Sequence, residues 1–267
     1  MRTIAFCNLK GGVGKTATVI NVAAVLAADH RQRVLVIDAD SQCNSTEFFG
    51  GDPREGNLAN ILRFGVEEGK EPVMADAMFA AAQIQPSNLR DVDLLAGDDS
   101  LMDLDLTKVE TSSVRVTLLR DMINFLRAEH EYEWVLVDCP PAFNAASAAA
   151  LIAVDEVVIP LKLDAFSLRG MANLMQQIAN LKQINPALTI RGVLPTMWYR
   201  SDAIADAEDQ IRRSGLRLFR HIRASRKVDD MTFAQEPLTT YSPRSGAGID
   251  YRVFTAQLLE GGAENDR

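Results

Sequence analysis

Residues 8–16 read Asn8-Leu9-Lys10-Gly11-Gly12-Val13-Gly14-Lys15-Thr16, between a short apolar run and a stretch from Thr16 to His30 rich in Ala, Val and Leu. Gly11, Gly12 and Gly14 let the backbone curl so that successive N–H groups turn inward. A helix starting at Thr16 adds the positive end of its dipole, and the two together make a nest for phosphate groups. Lys15 is then placed to reach the β- and γ-phosphates of a nucleotide as a mobile point charge. The Thr16 hydroxyl is placed to ligate a magnesium ion bridging them. The pattern G-x-x-x-x-G-K-[ST] is met except at its first position, which is Leu9.

Three aspartates follow apolar runs. Val34-Leu35-Val36-Ile37 leads into Asp38-Ala39-Asp40, and Trp134-Val135-Leu136-Val137 into Asp138. Open α/β sheets bind ligands beyond the carboxyl ends of their strands, which brings all three carboxylates to the phosphate nest. Asp138 has the Walker B arrangement and is expected to hold the metal through water, because magnesium keeps several waters beside few protein ligands. Cys139 comes next, but no His partner is suggested nearby, which argues against a thiol nucleophile.

Such residues need a sheet to hold them. From residue 3 onward, short β-branched runs alternate with helical ones, the pattern of βαβ units. Strands are expected at Ile4–Asn8, Val34–Asp38, Val92–Ala96, Trp134–Asp138, Val157–Leu161, Ile190–Leu194 and Leu216–Ile222. Several lack alternation, as strands covered on both faces do. Helical spacing links Val114, Leu118, Met122 and Phe125, and again Leu168, Met171, Met175, Ile178 and Leu181. The fold class is therefore α/β, a doubly wound, mainly parallel sheet flanked by helices. A single domain is expected over residues 1–260, with a short, flexible, acidic tail at 261–267.

Composition excludes several classes. The chain has 267 residues, 47% hydrophobic and 24% charged, close to the soluble globular average. No run approaches the roughly 18 to 20 apolar residues of a membrane span, and the N-terminus MRTIAFCNLK has no signal-peptide h-region, so a cytoplasmic protein is expected. Cys7, Cys43 and Cys139 are too few and scattered for a disulfide framework or a zinc site. The net charge of −8 speaks against a surface attracting nucleic acid everywhere. It hides a local reversal, however: Arg200 to Lys227 holds eight basic residues against four acids.

Lys10-Gly11-Gly12-Val13-Gly14-Lys15-Thr16 resembles the deviant Walker A motif of the ParA/MinD ATPase superfamily. The resemblance implies a P-loop NTPase that binds ATP and Mg2+ through residues 10–17: Lys10, Gly11, Gly12, Val13, Gly14, Lys15, Thr16 and Ala17. It implies that Lys10 crosses an ATP sandwich dimer to the partner's nucleotide, in the manner of an arginine finger. Asp38 to Thr46 resembles that family's switch I segment, D-x-D-P-Q-G-N-x-[ST], with Ser41 in place of proline and Cys43 in place of glycine. This implies that Asp38 belongs to the metal shell with Thr16 and Asp138, and that Asp40 polarises the attacking water. Lys10, Lys15 and Asp40 are thus the catalytic candidates. Cys139-Pro140-Pro141 resembles the opening of switch II. The stretch 153–170, with Leu168-Arg169-Gly170, is similar to a ParA segment at the dimer face. At Ile222-Arg223 the family sequence Ile-Pro-Arg-Asn-Val-Arg has a proline where this chain has Arg223, the residue expected near the adenine.

The end of the chain, Leu258 to Arg267, is acidic and glycine-broken, unlike the basic amphipathic helix of a MinD-type membrane ATPase. The cysteines sit in a strand and the two switches rather than where an iron–sulfur cluster could bridge subunits. No tyrosine-rich tail suggests a kinase. The first strand opens by residue 3, as in small Soj-like forms without a helix-turn-helix domain. The resemblance therefore implies an ATP-dependent DNA partition ATPase, slow in the basal state, of plasmid, chromosome or mobile element. Its dimer would bind non-specific double-stranded DNA on the nucleoid and be released when a ParB-like partner stimulates hydrolysis. Arg200 and Lys227, with Arg223 and Arg226, are the DNA-binding candidates. A ParA-like ATPase that positions a protein cargo uses the same residues and stays open as the alternative.

Overall fold

The computed structural model describes residues 1–64, 74–104 and 114–260, without the side chains of 165–169; the expected tail at 261–267 and the side chains of Leu168 and Arg169 lie outside the described residues. Seven strands form one sheet in the order β3-β4-β2-β5-β1-β6-β7. They are β1 (Arg2–Phe6), β2 (Val34–Asp38), β3 (Gln85–Pro86), β4 (Val92–Leu95), β5 (Trp134–Asp138), β6 (Glu156–Lys162) and β7 (Thr189–Thr196). All pairings are parallel except the short edge pair β3 with β4. The eleven α-helices assigned among the described residues are α1 (Lys15–His30), α2 (Asn44–Phe48), α3 (Leu58–Arg63), α4 (Met74–Ala81), α5 (Leu118–Ala128), α6 (Ala145–Ala153), α7 (Ala165–Leu181), α8 (Asp202–Arg213), α9 (Arg226–Ala234), α10 (Leu238–Tyr241) and α11 (Gly246–Glu260).

The central strands are buried on both faces, which explains their unalternated sequences. Successive side chains still point to opposite layers. Leu35, Ile37, Val135 and Val137 join a core with Met122 of α5, Leu151 of α6 and Leu174 of α7. Val34, Val36, Trp134 and Leu136 join a second core with Val19 and Ile20 of α1 and Phe254 of α11. Burying each such side chain contributes about 1.5–3 kcal/mol, so both layers clamp the strands whose ends carry the aspartates. No helix among the described residues is long and apolar enough to cross a membrane.

The structure departs from the sequence expectations at four places. The first strand starts at Arg2 and ends at Phe6, which leaves Cys7 and Asn8 to begin the turn into the loop. Leu216–Ile222 makes only isolated bridges to the β7 region, Val193 with Leu218 and Trp198 with Arg223. The cause is Pro195. Val193 makes regular backbone bonds with this segment, donating to Arg217 O at 2.8 Å and accepting from Phe219 N–H at 2.9 Å, but Pro195 has no N–H for the next rung and the chain slips so that Ile222 N–H donates to its carbonyl. Third, β3 was not foreseen, because two residues including a proline carry no periodicity. The helix expected around Val114 starts at Leu118, with Val114 buried just ahead of it.

Gly192 lies where β7 bulges against β6, with φ of 155°. A Cβ there would come within 2.7 Å of the Arg217 carbonyl oxygen and 2.8 Å of the Phe219 ring. The neighbours are backbone and a packed aromatic ring, which cannot swing aside cheaply. Gly192→Ala is therefore expected to lower stability by about 2–3 kcal/mol, and a urea denaturation midpoint equal to that of the wild type would contradict this.

Candidate functional site

The phosphate loop hangs between β1 and α1 at the centre of the sheet. Gly12 and Gly14 adopt φ of 68° and 80°, the left-handed conformation that glycine takes without a Cβ penalty. These two turns wrap the loop so that Lys15 Nζ donates to the Lys10 carbonyl at 3.1 Å, closing it over itself. Thr196 Oγ1, from the end of β7, donates to Val13 O at 2.8 Å and braces the loop from beside. The start of α1 has no side-chain cap, so its orphan N–H donors remain for a ligand. Asn8 orders the entry: its amide donates to Pro160 O at 2.7 Å and its carbonyl oxygen accepts from Lys10 N–H at 3.0 Å.

The carboxylates sit under this loop. Asp38 and Asp138 are Cα partners across β2 and β5, and Asp138 is also the partner of Phe6 in β1. Their exposures are 0% and 1%. Asp38 Oδ2 accepts from Thr46 N–H and Thr46 Oγ1, both at 2.8 Å, and Oδ1 from Asp40 N–H at 3.1 Å. Gly97 N–H in turn donates to Thr46 Oγ1 at 2.8 Å, and Gly97 itself lies against Asp38, where a Cβ would sit 3.1 Å from the carboxyl carbon. Asp138 Oδ2 accepts from Ser45 Oγ at 2.7 Å. Burial raises the pKa of both carboxyls. The charge of Asp138 raises that of Asp38 further, while Ser45, Thr16 and Lys15 offset the rise at Asp138.

Asp138 Oδ1 is buried with no hydrogen-bond partner among the described residues. Two like charges out of water, one with an unsatisfied oxygen, form an environment that a cation would relieve. The Thr16, Asp38 and Asp138 set suits a magnesium ion, which takes few protein oxygens and completes its shell with water and phosphate. Among the described residues no group of three or more His, Cys, Asp or Glu could hold a metal by itself.

Above these acids lies a cleft of about 1130 Å³. Gly11, Gly12, Val13, Gly14, Lys15, Thr16 and Ala17 form one part of its lining, Asp40 another, and Arg223 and Arg226 a third. Asp40 is 8% exposed, and its Oδ1 accepts from Gln42 N–H at 3.0 Å. Cys43 has φ of 54°, a left-handed conformation that costs a side-chain-bearing residue about 1–2 kcal/mol and that glycine adopts freely. Its thiol is pushed up to about 12, by burial first and then by the charges of Asp38, Asp98, Asp99 and Asp40, and so stays protonated.

Other expected site residues go elsewhere. Lys10 does not line the cleft; its Nζ donates to Asp164 Oδ2 at 2.7 Å, just beyond β6. Arg223 has its guanidinium on Asp250 of α11, at 2.7 and 2.8 Å, rather than free for a base or a phosphate. Lys227 pairs with Asp230 at 3.0 Å and lies over the Tyr241 ring, while Arg200 is exposed, and neither lines the cleft. Among the described residues Arg200, Arg213, Arg220 and Arg226 make no ion pair, whereas Arg212 is held by Glu208 and Asp209. Sequence reasoning missed Ser45, Thr46, Asp164, Thr196 and Asp250. Ser45 and Thr46 had a signal in the hydroxyls that follow Asp38 and Asp40, but the other three are brought in by chain crossings that no local pattern encodes.

The domain family described as "AAA domain" matches residues 1–190. The chromosome partitioning protein ParA of Caulobacter vibrioides is 35% identical over 209 residues, 77% of this chain and 73% of that protein. The sporulation initiation inhibitor protein Soj of Bacillus subtilis is 29% identical over 268 residues, covering 98% and 99% of the two chains. Among solved structures, apo McdA from Cyanothece has a TM-score of 0.78 at 23% identity, over 97% of this chain and 99% of that one. With the family match over residues 1–190 and the 35% identity to the partition protein, the chain belongs to the ParA/MinD superfamily of P-loop ATPases.

Proposed function

We propose that this chain is an ATP-dependent DNA partition ATPase whose nucleotide state controls dimerisation and DNA binding. The observation that carries the reading is the stacking of three features at one sheet end. They are a glycine-turned loop with Lys15 buried in it, two buried aspartates beneath it, and Asp40 on the wall of the same cleft. Phosphates of ATP rest on the N–H groups of residues 11–16, and Lys15 neutralises the charge that builds on the transferred group. Magnesium, when bound at Thr16, Asp38 and Asp138, supplies further charge neutralisation on the phosphate oxygens. Asp40 orients the attacking water and accepts its proton. Lys10 leaves Asp164 to meet the nucleotide of a second copy, which makes hydrolysis conditional on dimerisation and slow in the isolated protein.

DNA binding follows from the distribution of charge. A chain of net charge −8 can hold a polyanion only through a local basic surface. Arg200 and Arg226, which make no ion pair among the described residues, and Lys227 beside Arg226 in sequence are the candidates to form one. A dimer doubles it. The ParB-like partner that would stimulate release is supported by the relationship to the partition proteins.

Lys15→Ala is expected to abolish ATP binding, and a fluorescent ATP analogue titrating with wild-type affinity would refute the phosphate-loop assignment. Asp40→Ala is expected to bind ATP and accumulate as a dimer, and Lys10→Ala to keep nucleotide binding but stay monomeric; multi-angle light scattering reads both. The same mass with ATP, ADP and no nucleotide in the wild type would remove the switch. DNA affinity is expected chiefly with ATP, with log K falling against log salt at roughly −4 to −5 for about four to six phosphates. Mobility-shift titrations at two salt concentrations check this. Equal binding in all nucleotide states would contradict gating, and absence of binding in every state would point to a protein cargo.

A further inference from the structure

Residues 222–226 line the cleft away from the phosphate loop but belong to no strand. Two backbone bonds hold them to the chain after β7: Trp198 N–H to Ile222 O at 3.0 Å and Ala224 N–H to Trp198 O at 2.9 Å. A further restraint is ionic. Arg223 Nε donates to Asp250 Oδ2 at 2.7 Å, one terminal nitrogen to Oδ1 at 2.8 Å, and the Arg223 backbone N–H to Oδ2 at 3.1 Å. The Asp250 side chain is 1% exposed and that of Arg223 46%. A carboxylate so buried is costly unless fully partnered, and three donors from one residue supply the partners. Burial pushes the Asp250 carboxyl up, and the hydrogen bonds and charge of Arg223 outweigh it, leaving the carboxyl below its ordinary value.

The surroundings are shaped to this pair. At Gly246, the first residue of α11, a Cβ would lie 2.6 Å from Arg223 Cδ and 2.8 Å from its Nε and one terminal nitrogen. Only the missing side chain leaves room for the guanidinium. The residue after Asp250, Tyr251, is buried, lines the same cleft and packs in one core with Val19 and Ile20 of α1. One turn of α11 thus holds two parts of the cleft wall, packing Tyr251 against the helix behind the phosphate loop and fixing the 222–225 loop through Asp250. Asn21 of α1 adds a second brace, accepting from Leu238 N–H at 3.0 Å and donating to Met231 Sδ at 3.3 Å.

We propose that the Arg223–Asp250 pair is a positioning clasp: it fixes the wall against which the base and sugar of the nucleotide rest, and it does not act on the phosphates. This rests on the nucleotide reading above. Arg223 in this role is neither a ligand of the base nor a DNA contact, and the apolar lining that its loop and its neighbour present, Ile222, Ala224 and Val228, suits a planar ring.

The test compares two probes on the full chain by isothermal titration calorimetry with magnesium present: ATP, which uses the whole cleft, and inorganic tripolyphosphate, which uses only the phosphate loop. Arg223→Ala and Asp250→Ala are each expected to weaken ATP about tenfold, and the double variant no more than either alone, because the pair acts as one unit. Gly246→Ala, which touches neither charge, should shift ATP affinity in the same direction by displacing the guanidinium, and Arg223→Lys should recover part of the loss. Tripolyphosphate affinity should stay constant throughout, a selectivity that a general loss of structure would not produce. Thermal unfolding confirms that each variant is folded; should Asp250→Ala not fold, Arg223→Ala and Gly246→Ala decide the question. Unchanged ATP affinity in Arg223→Ala, equal losses for both probes, or additive losses in the double variant would overturn the clasp. A wild type that binds neither probe would instead overturn the nucleotide reading itself.

Discussion

Asp38 and Asp138 face each other across β2 and β5, cut off from water by a helical layer on each side of the sheet. Burying two like charges together opposes folding, and the structure around them is arranged to contain that cost. Hydroxyls from Ser45 and Thr46 and backbone N–H groups from Asp40 and Thr46 satisfy all their oxygens but one. The charge of Lys15 offsets the rise in the pKa of Asp138. The residual tension is useful. A site that holds excess negative charge in a dry pocket, beside a loop of N–H donors and a lysine, accepts a metal and a polyphosphate together more readily than either alone.

The segment that follows Asp38 is tied into this network. Ser45 and Thr46 follow Asp40 and Cys43 within one short turn, so a change at the cleft reaches the buried carboxylates through hydroxyls already bonded to them. Cys43 holds its left-handed conformation at a cost that a glycine would not incur. Lys10 is not part of the cleft lining and is engaged by Asp164. Its pairing at 39% and 31% exposure is of the kind that contributes little to stability, which leaves it able to exchange partners.

Charge is distributed unevenly for a physical reason. Acids predominate over the chain, while the segment from Arg200 to Lys227 is basic. Within that segment the fold neutralises Arg212, Arg223 and Lys227 through Glu208, Asp209, Asp250 and Asp230. The count of basic residues therefore overstates the uncompensated positive charge of the segment.

The local features were legible in the sequence because they are local. The glycine spacing at 11, 12 and 14 dictates a turned backbone, and the apolar runs ending in Asp38 and Asp138 are buried strands whose direction follows from βαβ connection. Strand ends were less legible: β1 starts at Arg2, where pairing with Trp134 rather than propensity sets the limit. Pro195 was visible, but its effect, breaking the ladder to residues 216–222, needed a neighbour to be known. Arg223 shows the boundary most clearly. In the sequence it is one of eight basic residues in a cluster, and its fate depends on Asp250, 27 residues later, and on the space left by Gly246. Spacing along the chain determines backbone turns and periodic faces, since those arise from neighbouring residues. Which charge meets which is decided only when distant segments are packed together and the cost of burying an unpaired carboxylate selects its partner.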